Sequence, residues 1–293
     1  MASPDGNGQG DGGDLHRFGS IHTILKLDTL GKYLPAYTTA LKNAPFKLHY
    51  IDAFAGTGVC HIKVGGERLM VPGSASIAIA CIPRFHRMMF VEMSMRRFRA
   101  LQRLKDRTPD RDIVVVRGDA NLELPSYLSQ MDRRSDRAIV FLDPYGMQLD
   151  WKTLRVVAES QICDAWYLFP LSGLYRQATL DADAIDEDKA ASLTRILGTE
   201  EWRQAFYEQP RQSDMFGDKQ SDVRKLNVQG MLCWVKQRLE TIFPAVLAPK
   251  LLHQTKGGGK QGAPLFALFF AVSNPAANAR TLALRIAEGV LRS

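Results

Sequence analysis

The sequence predicts an α/β fold: a mostly parallel sheet with a C-terminal antiparallel hairpin and a helical insertion. Three observations predict it. Short apolar runs ending in acidic residues alternate with helical stretches, the pattern of parallel strands joined by crossover helices. The first of these runs opens into a glycine-rich turn. From Arg176 to about Ala245 the texture turns polar and helical, and two further β-prone runs follow.

The elements follow in order. His22 to Leu41 carries Ile24, Leu27, Leu30, Leu34, Tyr37 and Leu41 at helical spacing, which predicts an amphipathic helix ahead of the sheet, with Pro35 as a point of kinking. The strand runs are Leu48 to Ile51 before Asp52, Met88 to Val91 before Glu92, Ile113 to Val116 shortly before Asp119, and Ala138 to Leu142 before Asp143; Ala165 to Phe169 is a fifth. Between the first and second, Lys63 to Val71 reads as an inserted loop before a helix beginning near Pro72-Gly73-Ser74. Asp181 to Lys189 and the polar Glu208 to Gln220 mark the insertion. Leu251 to His253 and Leu265 to Val272, around the glycine-rich linker Thr255 to Gly262, read as the closing hairpin, with a last helix from Pro275 to Leu291.

Composition bounds the function classes. With 293 residues, 45% hydrophobic and 24% charged, the chain can bury a full core without disulfide or metal staples. The longest apolar runs are far shorter than the roughly 20 residues of a membrane span, so no membrane anchor is expected. Met1 to Gly13 is rich in Gly and Asp and reads as a disordered tail, not a secretory signal. Cys60, Cys81, Cys163 and Cys233 are scattered, with no CxxC pair and no His/Cys cluster at ligand spacing. That argues for reduced thiols in a cytoplasmic protein and against a metal site. A net charge of +7 leaves a nucleic-acid partner open, and the densest basic stretch is Arg96, Arg97, Arg99, Arg103, Lys105, Arg107 and Arg111. The more ordinary reading of such a run is the solvated face of a helix.

The residues that could carry chemistry lie at strand ends. Tyr50 to Gly58 is a buried strand ending in Asp52 and running into Ala53-Phe54-Ala55-Gly56-Thr57-Gly58; glycines at such a turn let backbone approach a ligand where a Cβ would clash. The dinucleotide fingerprint fails because Val59-Cys60-His61 stand where a third glycine would seat a pyrophosphate. An acid before the glycines suits a cofactor with a cationic amino-acid end, held directly or through water. Glu92 could accept both hydroxyls of a ribose, or else pair with Arg96 one helical turn on. Asp119 could meet an adenine amino group, with the Ala120 N–H on a ring nitrogen, or else cap the helix from Asn121. Asp143-Pro144-Tyr145-Gly146 places acceptors for an amine beside a ring that stacks on a flat substrate; its alternative is a strand-to-helix turn.

With these motifs in order, the chain resembles a class I, Rossmann-like S-adenosylmethionine (SAM) dependent methyltransferase, and more closely the three-Cys-motif partner (TcmP) family. The likeness rests on His22-Thr23, Lys26 and Tyr33, Tyr50 to Gly58, Gly73-Ser74-Ala75, Phe141 to Gly146 and Leu268 to Asn274. It implies SAM as cofactor, with Asp52, Phe54, Gly56 and Gly58 as its loop, Glu92 as the ribose acid, Asp119 and Ala120 at the adenine end, and Asp143, Pro144 and Tyr145 as the catalytic motif. Amino-methyltransferases of this kind usually carry two prolines between acid and aromatic; this chain has one, which leaves the substrate open between an amine on nucleic acid and one on protein. The resemblance also implies a three-Cys-motif protein as partner, and it admits a silent SAM-binding subunit as the alternative. The chain is thereby divided into a tail over 1–19, a SAM-binding domain over 20–175 and 246–293, and a helical insertion over 176–245.

Overall fold

Five runs of apolar residues form parallel strands because both of their faces are covered. In the computed structural model, which describes residues 21–64, 67–209, 221–255 and 261–292, they are β1 (Lys47–Asp52), β4 (Arg87–Val91), β5 (Ile113–Val116), β6 (Asp136–Leu142) and β7 (Cys163–Phe169). β12 (Gln261–Val272) runs antiparallel to β7, and β10 (Ala245–Val246) and β11 (Lys250–Thr255) pair along its outer edge. The order across the sheet is β5-β4-β1-β6-β7-β12. The expected tail and linker residues 1–20 and 256–260 lie outside the described residues.

The period-2 alternation of a strand divides these side chains between two cores. Ile51, Val140, Leu142 and Phe169 face one, with Leu154 and Val157 of α5 (Trp151–Ser160). Tyr50, Phe141, Trp166 and Phe270 face the other, covered by α1 (Ile21–Leu41), α2 (Ser74–Ala80) and α10 (Ala277–Arg292). Burying strands on both faces produces the near-continuous apolar runs seen in the sequence. α1 continues through Pro35, and the Thr38 hydroxyl donates to Leu34 O at 3.1 Å.

One expectation is corrected. Lys63 to Val71, read as a loop, belongs largely to an antiparallel hairpin, β2 (Val59–Val64) paired with β3 (Glu67–Pro72). Its alternating Cys60, Ile62 and Val64, followed by Leu69 and Val71, carried a strand signal that the charged Glu67-Arg68 obscured. The segment after β7 is mainly helical, as expected, and adds one short ribbon. α6 (Leu171–Gln177), α7 (Glu187–Leu197), α8 (Trp202–Phe206) and α9 (Val228–Glu240) are joined by a two-stranded ribbon, β8 (Tyr207–Glu208) with β9 (Val223–Arg224). Leu193, Trp202, Phe206 and Met231 from this segment share one core with Val140 and Phe169 of the sheet. Residues 210–220, expected as a flexible polar stretch, lie outside the described residues.

Candidate active site

In an open parallel sheet the ligand crevice lies outside the carboxyl ends of the strands, where the strand order reverses. Here the chain goes from β1 outward through β4 and β5 on one side, and from β6 through β7 on the other. The crevice therefore opens above β1 and β6. Four acids reach that edge, Asp52, Glu92, Asp119 and Asp143, each from a different strand or the turn after it.

The loop after β1 is built for close approach. Gly56 and Gly58 have φ of +65° and +78°, a region costly for residues with a Cβ. A Cβ on Gly58 would stand 2.6 Å from Leu104 Cδ2. Gly58 O accepts from Gly73 N at 2.8 Å and from Ser76 Oγ at 2.6 Å, tying the loop to α2. Ser76 was not singled out in the sequence, where a serine inside an apolar helix gives no sign of this contact.

Asp52 lies beneath this loop. It is fully buried and lines neither cavity of the crevice. Its carboxylate accepts from Phe54 N at 3.2 Å and from the Tyr50 hydroxyl at 3.4 Å, so it braces the loop from beneath and direct contact with a ligand ammonium is closed off. Burial pushes its pKa from 3.8 up to about 7, with bonds from Ser74 and Phe54 N pulling partly back. The folded chain thus holds this proton more tightly than the unfolded one. Its contribution to stability falls as pH rises from about 4 to about 7 and is level outside that window. Asp52→Asn, which keeps an acceptor without the charge, is expected to stabilise the fold by at least about 1 kcal/mol at pH 8 and by little at pH 4. Thermal melts across that range check it; a variant less stable at pH 8 would show that the charge is compensated in place.

Glu92 is 3% exposed and joins the loop to the next strand. It accepts from Gly56 N at 3.1 Å, from Ser94 N at 2.8 Å and from Arg97 Nε at 3.1 Å. The cation is Arg97, not the Arg96 of the alternative reading. Ser94 stands at the N-cap position of α3 (Met95–Asp106), and the first turn of that helix swings Arg97 back over the acid. Asp119 caps α4 (Ala120–Leu128), accepting from Asn121 N at 2.9 Å, so the capping alternative holds for one of its oxygens. Asp119 and Ala120 also line the smaller cavity. Asn121, missed in the sequence, ties that corner down: it donates to Gln148 O and accepts from Asp150 N, both at 2.9 Å.

Two cavities meet over the loop. One, of about 530 Å³, is lined by Glu92, Asp119 and Ala120; the other, of about 940 Å³, by Gly56, Gly58, Asp143 and Pro144. Phe54, Arg97 and Tyr145 line both. The Arg97 guanidinium lies 4.4 Å from the centre of the Tyr145 ring, an attractive cation–π geometry that holds the half-exposed ring across the junction. Asp143 pairs with Lys26 of the leading helix, the two side chains 23% and 13% exposed. The site can thus hold a ligand with a diol beside Glu92 at one end and a flat group beside Asp143 and Tyr145 at the other.

Among the described residues no group of three or more His, Cys, Asp or Glu is placed to hold a metal ion. None of the described helices is long and apolar enough to cross a membrane. No protein-family model matches this sequence, and no curated protein matches it either. Among solved structures the chain is similar to protein LPL1258 of Legionella pneumophila, assigned to the DUF519 family model, with 12% identity over 93% of this chain and 92% of that one and a TM-score of 0.52. Human methyltransferase-like protein 13 in complex with SAH gives 14% identity over 92% and 93%, with a TM-score of 0.43. A SAM-dependent methyltransferase from Clostridium acetobutylicum gives 8% over 83% and 90%, with a TM-score of 0.36. The Legionella likeness is one of fold, and the fold is mixed α/β with a mostly parallel central sheet.

Proposed function

We propose that this chain is a SAM-dependent methyltransferase acting on an amino group. The observation that carries the reading is Glu92: a buried carboxylate at the end of β4, bonded to the backbone of the Gly56 turn on β1 and facing a cavity that continues to Asp143. In the bound state Glu92 would accept the ribose hydroxyls, Asp119 and Ala120 would meet the adenine, and the backbone of Gly56 to Gly58 would carry the amino-acid end. SAM supplies an electrophilic methyl group. The chain's own work is positioning, because an in-line displacement needs the acceptor held at near-attack distance, roughly 3–3.5 Å. Asp143 and the Pro144 carbonyl accept hydrogens of the amine and turn its lone pair into the cavity, while Tyr145 stacks on the ring that carries it.

Calorimetry with SAM, SAH and NAD tests it. SAM and SAH are expected to bind and NAD not to; binding of NAD alone overturns the reading. The finer placement in the TcmP family adds a three-Cys-motif partner. Under that placement, transfer from labelled SAM rises when the partner is present, whereas a silent subunit would form the complex without transfer.

A further inference from the structure

The larger cavity is basic. Lys26, Arg68, Arg96, Arg97 and Arg176 line it, and its lining contains one acid, Asp143, already paired with Lys26. Arg68, Arg96 and Arg176 come from three separate elements, β3, α3 and α6, and all three line this cavity. Among the described residues, Arg96 and Arg176 make no ion pair with an acid. The charge also continues outward. Arg96, Arg99 and Arg103 follow one another at spacings of three and four along α3, which places them on one face of the helix. All three are exposed, none has an acidic partner among the described residues, and the only acid in the helix is Asp106. At 1.5 Å per residue the row is about 10.5 Å long, long enough to meet successive phosphates of one strand. It starts at the cavity mouth, because Arg96 belongs to both.

We infer that the acceptor is a base in a single-stranded or locally opened nucleic acid: Arg96, Arg99 and Arg103 carry its phosphates along α3, and the base enters the cavity between Phe54, Tyr145 and Phe266. This names the substrate class of the site proposed above and rests on that reading for the chemistry, though not for strand binding. A solvated helix face would need neither the end of the row to coincide with a cavity nor further arginines from β3 and α6 lining that same cavity. A phosphate track needs both. Aromatic walls suit a strand because every base presents a flat face to stack on.

The test is fluorescence anisotropy with labelled 20-nucleotide single strands, one of DNA and one of RNA, over a range of salt. The wild type is expected to bind at least one of them, and the tighter arm identifies the sugar. The Arg96→Gln/Arg99→Gln/Arg103→Gln variant is expected to bind roughly 100-fold more weakly at 0.1 M salt, with the log–log salt slope reduced by about 2, since each phosphate contact on a single strand contributes ~0.7 to the slope. A control variant, Lys32→Gln/Arg155→Gln/Arg292→Gln, removes three cations held in exposed ion pairs on other elements and is expected to bind as the wild type does. Unchanged strand affinity and slope in the α3 variant overturn the inference, and so does capture of phosphatidylserine vesicles in place of either strand. SAH titrated into the same proteins separates the two readings: loss of SAH binding in the wild type defeats the cofactor assignment alone, and loss of strand binding defeats the track alone.

Discussion

Glu92→Gln is expected to weaken SAM binding by at least about 100-fold, or about 2.7 kcal/mol. Three donors already converge on this carboxylate, Gly56 N, Ser94 N and Arg97 Nε, so the pocket is built around an acceptor with two oxygens. A glutamine there turns an NH₂ toward at least one donor and removes the charge that strengthens each bond; hydrogen bonds to charged groups contribute about 1.5–3 kcal/mol each. The ribose hydroxyls would lose their bidentate acceptor. At the same time the Gly56 turn would lose its anchor to β4, so part of the effect should appear as a lower melting temperature without ligand. Calorimetry with SAH, paired with a melt of the free protein, separates the two contributions. Affinity within threefold of the wild type would remove Glu92 from the ribose site.

Asp143→Asn is expected to leave SAM affinity close to wild type and to lower single-turnover transfer by at least tenfold, about 1.4 kcal/mol of barrier. Asp143 lines only the larger cavity, away from Glu92 and Asp119, so its loss should not disturb the ribose and adenine ends. Its pairing with Lys26 engages Oδ2 and leaves Oδ1 for an amine of the acceptor. An asparagine can satisfy Lys26 through its carbonyl, but it then presents a donor where the amine needs an acceptor. Tyr145→Ala should act differently, weakening acceptor binding with a smaller change in the rate at saturation. An unchanged rate in a folded Asp143→Asn variant would return the motif to a strand-to-helix turn.

Much of this site is legible along the chain because its parts are local. The strand ending at Asp52 and the turn through Gly56 and Gly58 are set by apolar runs and by positive φ at the glycines, requirements that act over a few residues. The acids at the ends of β4, β5 and β6 follow from the same punctuation. The capping role of Asp119 is local too, which is why it could be weighed from the spacing to Asn121 alone.

What tertiary structure decided was which of these groups meet, and how deeply they lie. Lys26 and Asp143 pair across 117 residues, a contact that depends on α1 packing beside the sheet and that no local pattern specifies. Arg96 and Arg97 are neighbours in a run of arginines; only the hand and first turn of α3 send Arg97 back to Glu92 and leave Arg96 at the cavity mouth. Asp52 reads as a ligand group by position, and only the packed structure shows that the loop it supports closes over it and that burial changes its charge balance. Sequence by itself determined the order of the parallel strands and the chemical types delivered to one edge, though not the β2–β3 hairpin, because propensity and periodicity act within single elements. Burial, ion-pair partners and the union of two cavities over Phe54, Arg97 and Tyr145 arise between elements, so they were settled only when the sheet and its covering helices packed together.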